Sequence, residues 1–286
     1  MKKLLITGAS GFLGIRTTMH YITKCEVVCC GHAGLDITHA KAVESFFEIQ
    51  QPDVVFHLAA ISDTGYSELH PDESEAVNLQ GTINIAKACA RTGSKLIYMS
   101  SDQVYNGNTE NGLLPEDIEL TPENVYGRHK LQAEREVQMI LPEAVGLRLS
   151  WMYDLPNSHY RLNRNLLVNL KTAFENKTCI KAATREMRGI TNVWDVVYRL
   201  EDCVNLPGGI YNFGSENHLN SYETFLETAY MMGLEQPEQW IIPDSERFPE
   251  HPRNLTMDTT RIQKFGIKFP DTLQGIQLAL GLKNTL

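Results

Sequence analysis

The chain has no uninterrupted apolar run of the roughly 20 residues that a helix needs to cross a bilayer, so no membrane partner is expected. It also has no basic block or stripe. Lys and Arg number 26 against 35 Asp and Glu, a formal net charge of -9, and that balance speaks against a nucleic-acid partner. The six cysteines, Cys25, Cys29, Cys30, Cys89, Cys179 and Cys203, make no CxxC pair and no spaced framework. They read as small core residues of a protein kept in a reducing cytoplasm. The nine histidines are scattered, with no His/Cys cluster at ligand spacing, so no metal site is expected. There is no internal repeat and no low-complexity linker. The opening residues run straight into a glycine-rich turn and read as a buried strand, with no room for a signal-peptide core.

What is present is an ordinary globular composition, 286 residues with 42% apolar and 21% charged. That length suits one large α/β domain, or one with a smaller lobe attached. Residues 3–7, 26–30, 54–58, 95–100 and 145–150 are short apolar runs and read as strands. Residues 12–23, 39–49, 73–91 and 122–140 carry helical patterns between them. Apolar strands alternating with helices predict a parallel sheet covered on both faces, a doubly wound Rossmann-type α/β fold. The alternation loosens after residue 152. Helical stretches are expected near 163–175, 193–205, 221–232 and 272–280, with a strand at 209–213. The expected division is a dinucleotide-binding core over 1–152 and a mostly substrate-binding lobe over 153–286, with some segments returning to the core.

Thr7-Gly8-Ala9-Ser10-Gly11-Phe12-Leu13-Gly14 follows the first strand and opens the first helix. In that context Gly8 can take backbone angles closed to other residues. Gly11 lets the chain approach a pyrophosphate, and Gly14 lets helix and sheet pack closely. The helix N-terminus then offers N–H donors to phosphate. Gly8, Ser10, Gly11, Phe12 and Leu13 are therefore the expected dinucleotide contacts. The second strand ends Cys29-Cys30-Gly31-His32, without the acid that would bind the free ribose hydroxyl of NAD. No Arg or Lys stands there for a 2′-phosphate either. The balance tips to NADP(H) and leaves NAD(H) open. Arg16, on the first helix, reads as a surface residue. Asp36 and Ile37 are expected at the adenine, or Asp36 serves as an N-cap.

Tyr126 and Lys130 stand at i and i+4 on a predicted helix, which puts them on one face. A free phenol titrates near 10. A neighbouring ammonium is expected to lower that value, making Tyr126 a usable proton donor to a carbonyl. Lys130 could also hold the nicotinamide ribose. Residues 95–100 form a strand that runs into Ser101-Asp102-Gln103-Val104-Tyr105. The carboxyl end of a strand is where ligands sit in such a sheet, so Ser101 could donate to the substrate carbonyl, or simply cap a turn. His57 lies within a strand run and reads as a satisfied core histidine.

Together these residues resemble the extended short-chain dehydrogenases, and within them the dTDP-4-dehydrorhamnose reductase family. The similarity runs nearly end to end. It takes in Leu35-Asp36-Ile37-Thr38, Leu58-Ala59-Ala60, Val77-Asn78, Arg148-Leu149-Ser150-Trp151-Met152-Tyr153, Gly209-Ile210-Tyr211-Asn212 and Pro252-Arg253-Asn254. The resemblance implies reduction by NAD(P)H of the C4 carbonyl of a nucleotide-linked 4-keto-6-deoxysugar. It implies Tyr126 as proton donor, Lys130 in support, and Ser101 with Asp102 orienting substrate. Val104 and Trp151 would contact substrate, and Leu58, Ala59 and Ala60 would line the dinucleotide. Departures fall at Asp154, where the family carries Gly, across residues 155–164, and at His251, where Arg is frequent. These leave the sugar and its nucleotide open. Two further readings stay open: an NAD-retaining nucleotide-sugar epimerase or dehydratase, and a non-catalytic dinucleotide-binding subunit such as the beta subunit of methionine adenosyltransferase. A homodimer through surface helices is compatible with the sequence, which does not fix the oligomeric state.

Overall fold

Leu4, Leu5 and Ile6 are fully buried, and the strand that carries them, β1 (Lys3–Thr7), lies inside the main sheet. The computed structural model describes residues 3–156, 160 and 162–282. Down the chain follow α1 (Phe12–Tyr21), β2 (Glu26–Cys30), α2 (Ala40–Gln50), β3 (Val54–His57), α3 (Thr64–Leu69) and α4 (Pro71–Glu75). A π-helical turn, Ala76–Gly81, leads into α5 (Thr82–Thr92) and β4 (Lys95–Ser101). A 3-10 turn, Asp102–Tyr105, precedes α6 (Val125–Ile140) and β5 (Val145–Leu149). Then come β6 (Trp151–Tyr153), α7 (Leu166–Asn176), β7 (Ile180–Ala183), β8 (Glu186–Arg188), β9 (Ile190–Asn192), α8 (Val193–Arg199) and β10 (Gly209–Phe213). The chain closes with α9 (Ser221–Met231), β11 (Ile241–Asp244), β12 (Arg253–Leu255), α10 (Thr260–Gln263) and α11 (Thr272–Ala279).

The six-stranded sheet has the order β10-β5-β4-β3-β1-β2. Leu5 stands opposite Val28 on β2 and Val55 on β3, and Val55 opposite Leu96 on β4, all in parallel register. Successive strand residues face opposite sides. Leu5, Val55 and Leu96 join Val43 and Phe47 of α2, Ile85 and Cys89 of α5 and Val137 of α6 in one buried cluster. Phe56 turns the other way and meets Tyr21 of α1 edge-on, ring centroids 5.4 Å apart. The sheet is thus covered on both faces, as the alternation predicts. Each fully buried aliphatic side chain contributes about 1.5–3 kcal/mol. Strand order reverses between β1 and β3, which makes their carboxyl ends the switch-point crevice of a doubly wound sheet.

The chain forms two compact units. The first holds Met1–Asn106, Glu119–Arg148 and Val197–Tyr211; the second holds Gly107–Ile118, Leu149–Val196 and Asn212–Leu286. Within the second, the parallel pairs β6–β9, β7–β11 and β8–β12 accompany α7, α9 and α11. Tyr153, Leu166, Leu170, Ile190, Ala229, Ile241 and Ile276 make its core. Of residues 155–164, where the family loop was expected to change, 157–159 and 161 lie outside the described residues. Among the described residues no helix is long and apolar enough to cross a membrane.

Several local expectations are corrected. The helical pattern over 73–91 is interrupted by the π-helical turn, in which the buried Asn78 sits. Arg16 is not on the surface but fully buried; its guanidinium lies 4.2 Å from the Phe12 ring centroid and donates to the Phe12 carbonyl at 2.7 Å. Cys29 and Cys179 are exposed rather than core, and all six cysteines are free thiols. Residues 122–124 precede the helix: α6 starts at Val125 because Asn124 caps it, accepting from the Gly127 N–H at 2.6 Å.

Candidate active site

The glycine turn closes on itself. Gly8 has φ +66°, in the left-handed region, and a Cβ there would lie 2.6 Å from Ala59 N. Gly11 N–H donates to the Gly8 carbonyl at 2.9 Å and Ala9 N–H to the Cys30 carbonyl at 3.1 Å. A Cβ on Gly14 would stand 2.1 Å from the Gly8 oxygen. Gly11 is the N-cap of α1 and has no side chain to accept from the first-turn N–H groups of Phe12, Leu13 and Gly14. Those donors suit a phosphate. Ser10 is exposed, with its Oγ against Gly31.

A chain of hydrogen bonds frames the crevice. Thr82 Oγ1 donates to the Asn78 carbonyl at 2.9 Å, so its proton is committed. His57 Nε2, 3.1 Å away, must then be the protonated nitrogen. Nδ1 accepts from Thr7 Oγ1 at 2.7 Å, and Thr7 in turn accepts from Ala59 N–H at 3.4 Å. Burial, with the Lys130 charge second, pushes His57 down to about 3. It is a neutral structural ring, as its place in a strand suggested. Asn78 also clamps the loop after β3: its Oδ1 accepts from Ile61 N–H and its Nδ2 donates to the Ile61 carbonyl, both at 3.0 Å. Leu58 and Ala59 are half-buried and Ala60 is exposed just before that clamp.

β4 and α6 bring the chemistry together. Lys130 is 3% exposed and Tyr126 6%. The Lys130 ammonium donates to the Met99 carbonyl at 2.9 Å and lies 5.8 Å from the Tyr126 ring centroid. Ser101 caps the 3-10 turn, accepting from Gln103 N–H at 3.2 Å, and donates to Asp102 Oδ1 at 3.1 Å. Gly127 makes the close approach of α6 to that turn possible, since a Cβ would lie 2.3 Å from the Gln103 carbonyl. Asn124 adds a bond from its Nδ2 to Gln103 Oε1 at 3.0 Å. The expected lowering of the Tyr126 pKa by Lys130 is not what this arrangement produces. Burial first, and the Asp102 charge second, hold the phenol well above its ordinary value, with a hydrogen bond to Ser101 pulling the other way. Burial also brings Lys130 down to about 8, with the Glu134 charge opposing.

The remaining predicted residues divide. Asp36 does not cap α2, whose N-cap is His39. Its carboxylate accepts from the Thr38 N–H at 2.9 Å and the Thr38 hydroxyl at 2.7 Å, which hold its pKa low. Ile37 is buried against Gly81. Asp102 and Val104 are both buried in the 3-10 turn. Trp151 belongs to the second unit, half-buried, with the Arg188 guanidinium 5.2 Å from its ring centroid. That unit also contains a cavity of about 340 Å3 whose walls include Asn111, Leu113, Met187, His218, His251 and Asn254. The sequence did not reveal the Asn78 clamp, nor the bonds by which Ser100 and Arg148 hold Glu134. The i+4 spacing of Glu134 from Lys130 was the available signal. Among the described residues no group of three or more His, Cys, Asp or Glu is placed to hold a metal ion.

The family model for the RmlD substrate binding domain matches residues 1–281. The chain belongs to the RmlD substrate-binding domain family. As an RmlD-family chain it is 26% identical to a dTDP-4-dehydrorhamnose reductase of Aggregatibacter actinomycetemcomitans, over 95% of this chain and 96% of that protein. It is 28% identical to methionine adenosyltransferase 2 subunit beta of Bos taurus, over 100% of this chain and 87% of that one. Its fold is that of the Bacillus anthracis dTDP-4-dehydrorhamnose reductase solved in complex with NADP. The TM-score is 0.86 at 21% identity, covering 97% of this chain and 98% of the other.

Proposed function

We propose that this RmlD-family chain is a cytoplasmic reductase that uses NADPH, or NADH, on the C4 carbonyl of a nucleotide-linked 4-keto-6-deoxysugar. The observation that carries this reading is the convergence of Ser101, Tyr126 and Lys130 at the carboxyl end of β4, where a doubly wound sheet takes its ligands. The dinucleotide supplies the hydride when bound. Gly8, Ser10, Gly11, Phe12 and Leu13 would hold its diphosphate, Asp36 and Ile37 its adenine, and Leu58, Ala59 and Ala60 would line it. The end of β2 carries no carboxylate to repel a 2′-phosphate, which favours NADP(H). Free thiols fit a reducing compartment.

Tyr126 is held as a neutral phenol, the protonation state that a proton donor needs. Tyr126 gives its proton to the C4 oxygen as negative charge develops there. Lys130, an ammonium below about pH 8, stabilises the phenolate left behind. Ser101 would turn its hydroxyl from Asp102 Oδ1 to donate to the same oxygen, and Asp102 would orient the substrate. Val104 and Trp151 are proposed as contacts to the nucleotide sugar.

One observation favours a second reading, a dinucleotide-binding subunit of another enzyme: the full-length match to the methionine adenosyltransferase subunit. The test is a screen of dTDP- and UDP-linked 4-keto sugars with NADPH and NADH, followed by absorbance of the reduced nicotinamide. Steady consumption with at least one sugar is expected. NADPH binding without consumption on any sugar, together with stable capture of a methionine adenosyltransferase, would replace the first reading by the second. Tightly retained NAD with no net consumption would point to an epimerase.

A further inference from the structure

Three consecutive residues at the end of β4 are each tied to α6. Met99 accepts from Lys130 through its carbonyl. Ser101 meets Tyr126. Between them, Ser100 Oγ donates to Glu134 Oε1, four residues beyond Lys130. Glu134 is itself gripped from the far side: Arg148 on β5 donates from Nε to Oε1 at 3.0 Å and from Nη2 to Oε2 at 2.7 Å. Arg148 Nη1 donates to the Tyr105 hydroxyl at 2.7 Å, at the close of the 3-10 turn. Both partners of the ion pair are 3% exposed.

A buried ion pair is a weak source of stability, because desolvation offsets its Coulomb attraction. A fold could fill the space with apolar side chains at similar or better stability. What the pair supplies here is placement, because its bonds join β4, β5, α6 and the 3-10 turn at the level of Ser101 and Lys130. We propose that Glu134, held by Arg148, is a positioning residue for the Tyr126–Lys130 pair: it fixes the turn of α6 behind Lys130 against Ser100 and sets a carboxylate charge beside the ammonium. This rests on the reductase reading for its catalytic consequence, but its electrostatic consequence stands alone. The titratable and charged groups around Lys130 are Tyr126 and Glu134 on its own helix and neutral His57 on β3. Arg148 lies beyond Glu134 on β5, and Asp102 acts on Tyr126. Glu134 opposes the burial that draws Lys130 down to about 8.

Two variants of the full chain test this. Glu134→Gln with Arg148→Met removes both charges of the ion pair together, so neither partner is left buried without the other. Ser100→Ala removes the middle bond and leaves the charges. In the double variant the Lys130 titration, followed by the 13Cε shift of labelled lysine, is expected to fall by about one unit. The alkaline limb of kcat should move down with it, with NADPH affinity unchanged. In Ser100→Ala, kcat is expected to fall about tenfold, with the limb and NADPH affinity in place. A folded double variant with wild-type Lys130 titration overturns the proposal. If the double variant does not fold, wild-type kcat in Ser100→Ala overturns it. If the wild-type chain reduces no sugar, the reductase reading fails, and the Lys130 titration, in the double variant or failing that in Glu134→Asp, still decides this one.

Discussion

Acidification should expose the His57 ring as a single measurable debt in the stability of the first unit. The folded ring titrates at about 3 because it is fully enclosed, and both its nitrogens are already bonded, to Thr7 and Thr82. In the unfolded chain an imidazole titrates near 6.5. Between those values the unfolded chain binds a proton that the folded chain refuses, so stability falls as pH drops from about 6.5 toward 3. At pH 5 the ratio of the two binding terms gives a loss of about 2 kcal/mol relative to pH 8. That figure holds for any folded value below about 4, since it is set by the unfolded side. The other titrating groups are cancelled by comparison with His57→Gln, whose amide retains a donor and an acceptor. Urea unfolding at pH 7.5 and pH 5 should show wild type losing about 2 kcal/mol more than the variant. The 15N shifts of the wild-type ring should report the neutral Nε2–H form throughout. Equal losses in the two proteins, or a ring that protonates above pH 5, would refute the bond directions assigned around Thr7, His57 and Thr82.

Tyr126→Phe should lower kcat about 10²–10⁴-fold on any sugar that the wild type reduces, while NADPH fluorescence titration gives an unchanged affinity; undiminished turnover would remove the phenol from the mechanism. Gly14→Ala puts a methyl where the Gly8 oxygen stands, 2.1 Å away. It should cost about 1–3 kcal/mol in thermal or urea unfolding and weaken NADPH binding together with stability, and a variant that binds and melts like wild type would contradict the close approach.

The family resemblance and the doubly wound sheet were both legible, for local reasons. The glycines at 8 and 14 answer to steric demands that act within one turn, and the runs at Leu4–Ile6, Val54–Phe56 and Leu96–Ile97 are apolar because both faces of the sheet are covered. The strand pairs of the second unit were not legible. β8, β9 and β12 have three residues each and pair with partners far along the chain, so no periodicity develops within them. The π-helical turn has the composition of an ordinary helix, and only the Asn78 side chain betrays what it is for. The charges were the harder case. Arg16 reads as a surface residue until its burial is seen, nothing in the sequence marks Glu134 and Arg148 as a buried pair, and the direction of the Tyr126 shift depends on burial and on Asp102 rather than on the i+4 lysine. Spacing showed that Tyr126 and Lys130 share a face; it could not show how dry that face is.

The edge strand β10 arrives late. β5 is buried along its whole length, and the neighbour that covers it lies from Gly209 to Phe213, after the Leu149–Val196 segment of the second unit has been made. A ribosome adding about 5–20 residues per second would leave that apolar strand without its outer neighbour for roughly 3–12 s. During synthesis β5 is therefore a template for a stray strand from another nascent chain, and truncating the chain anywhere before residue 209 would make that exposure permanent.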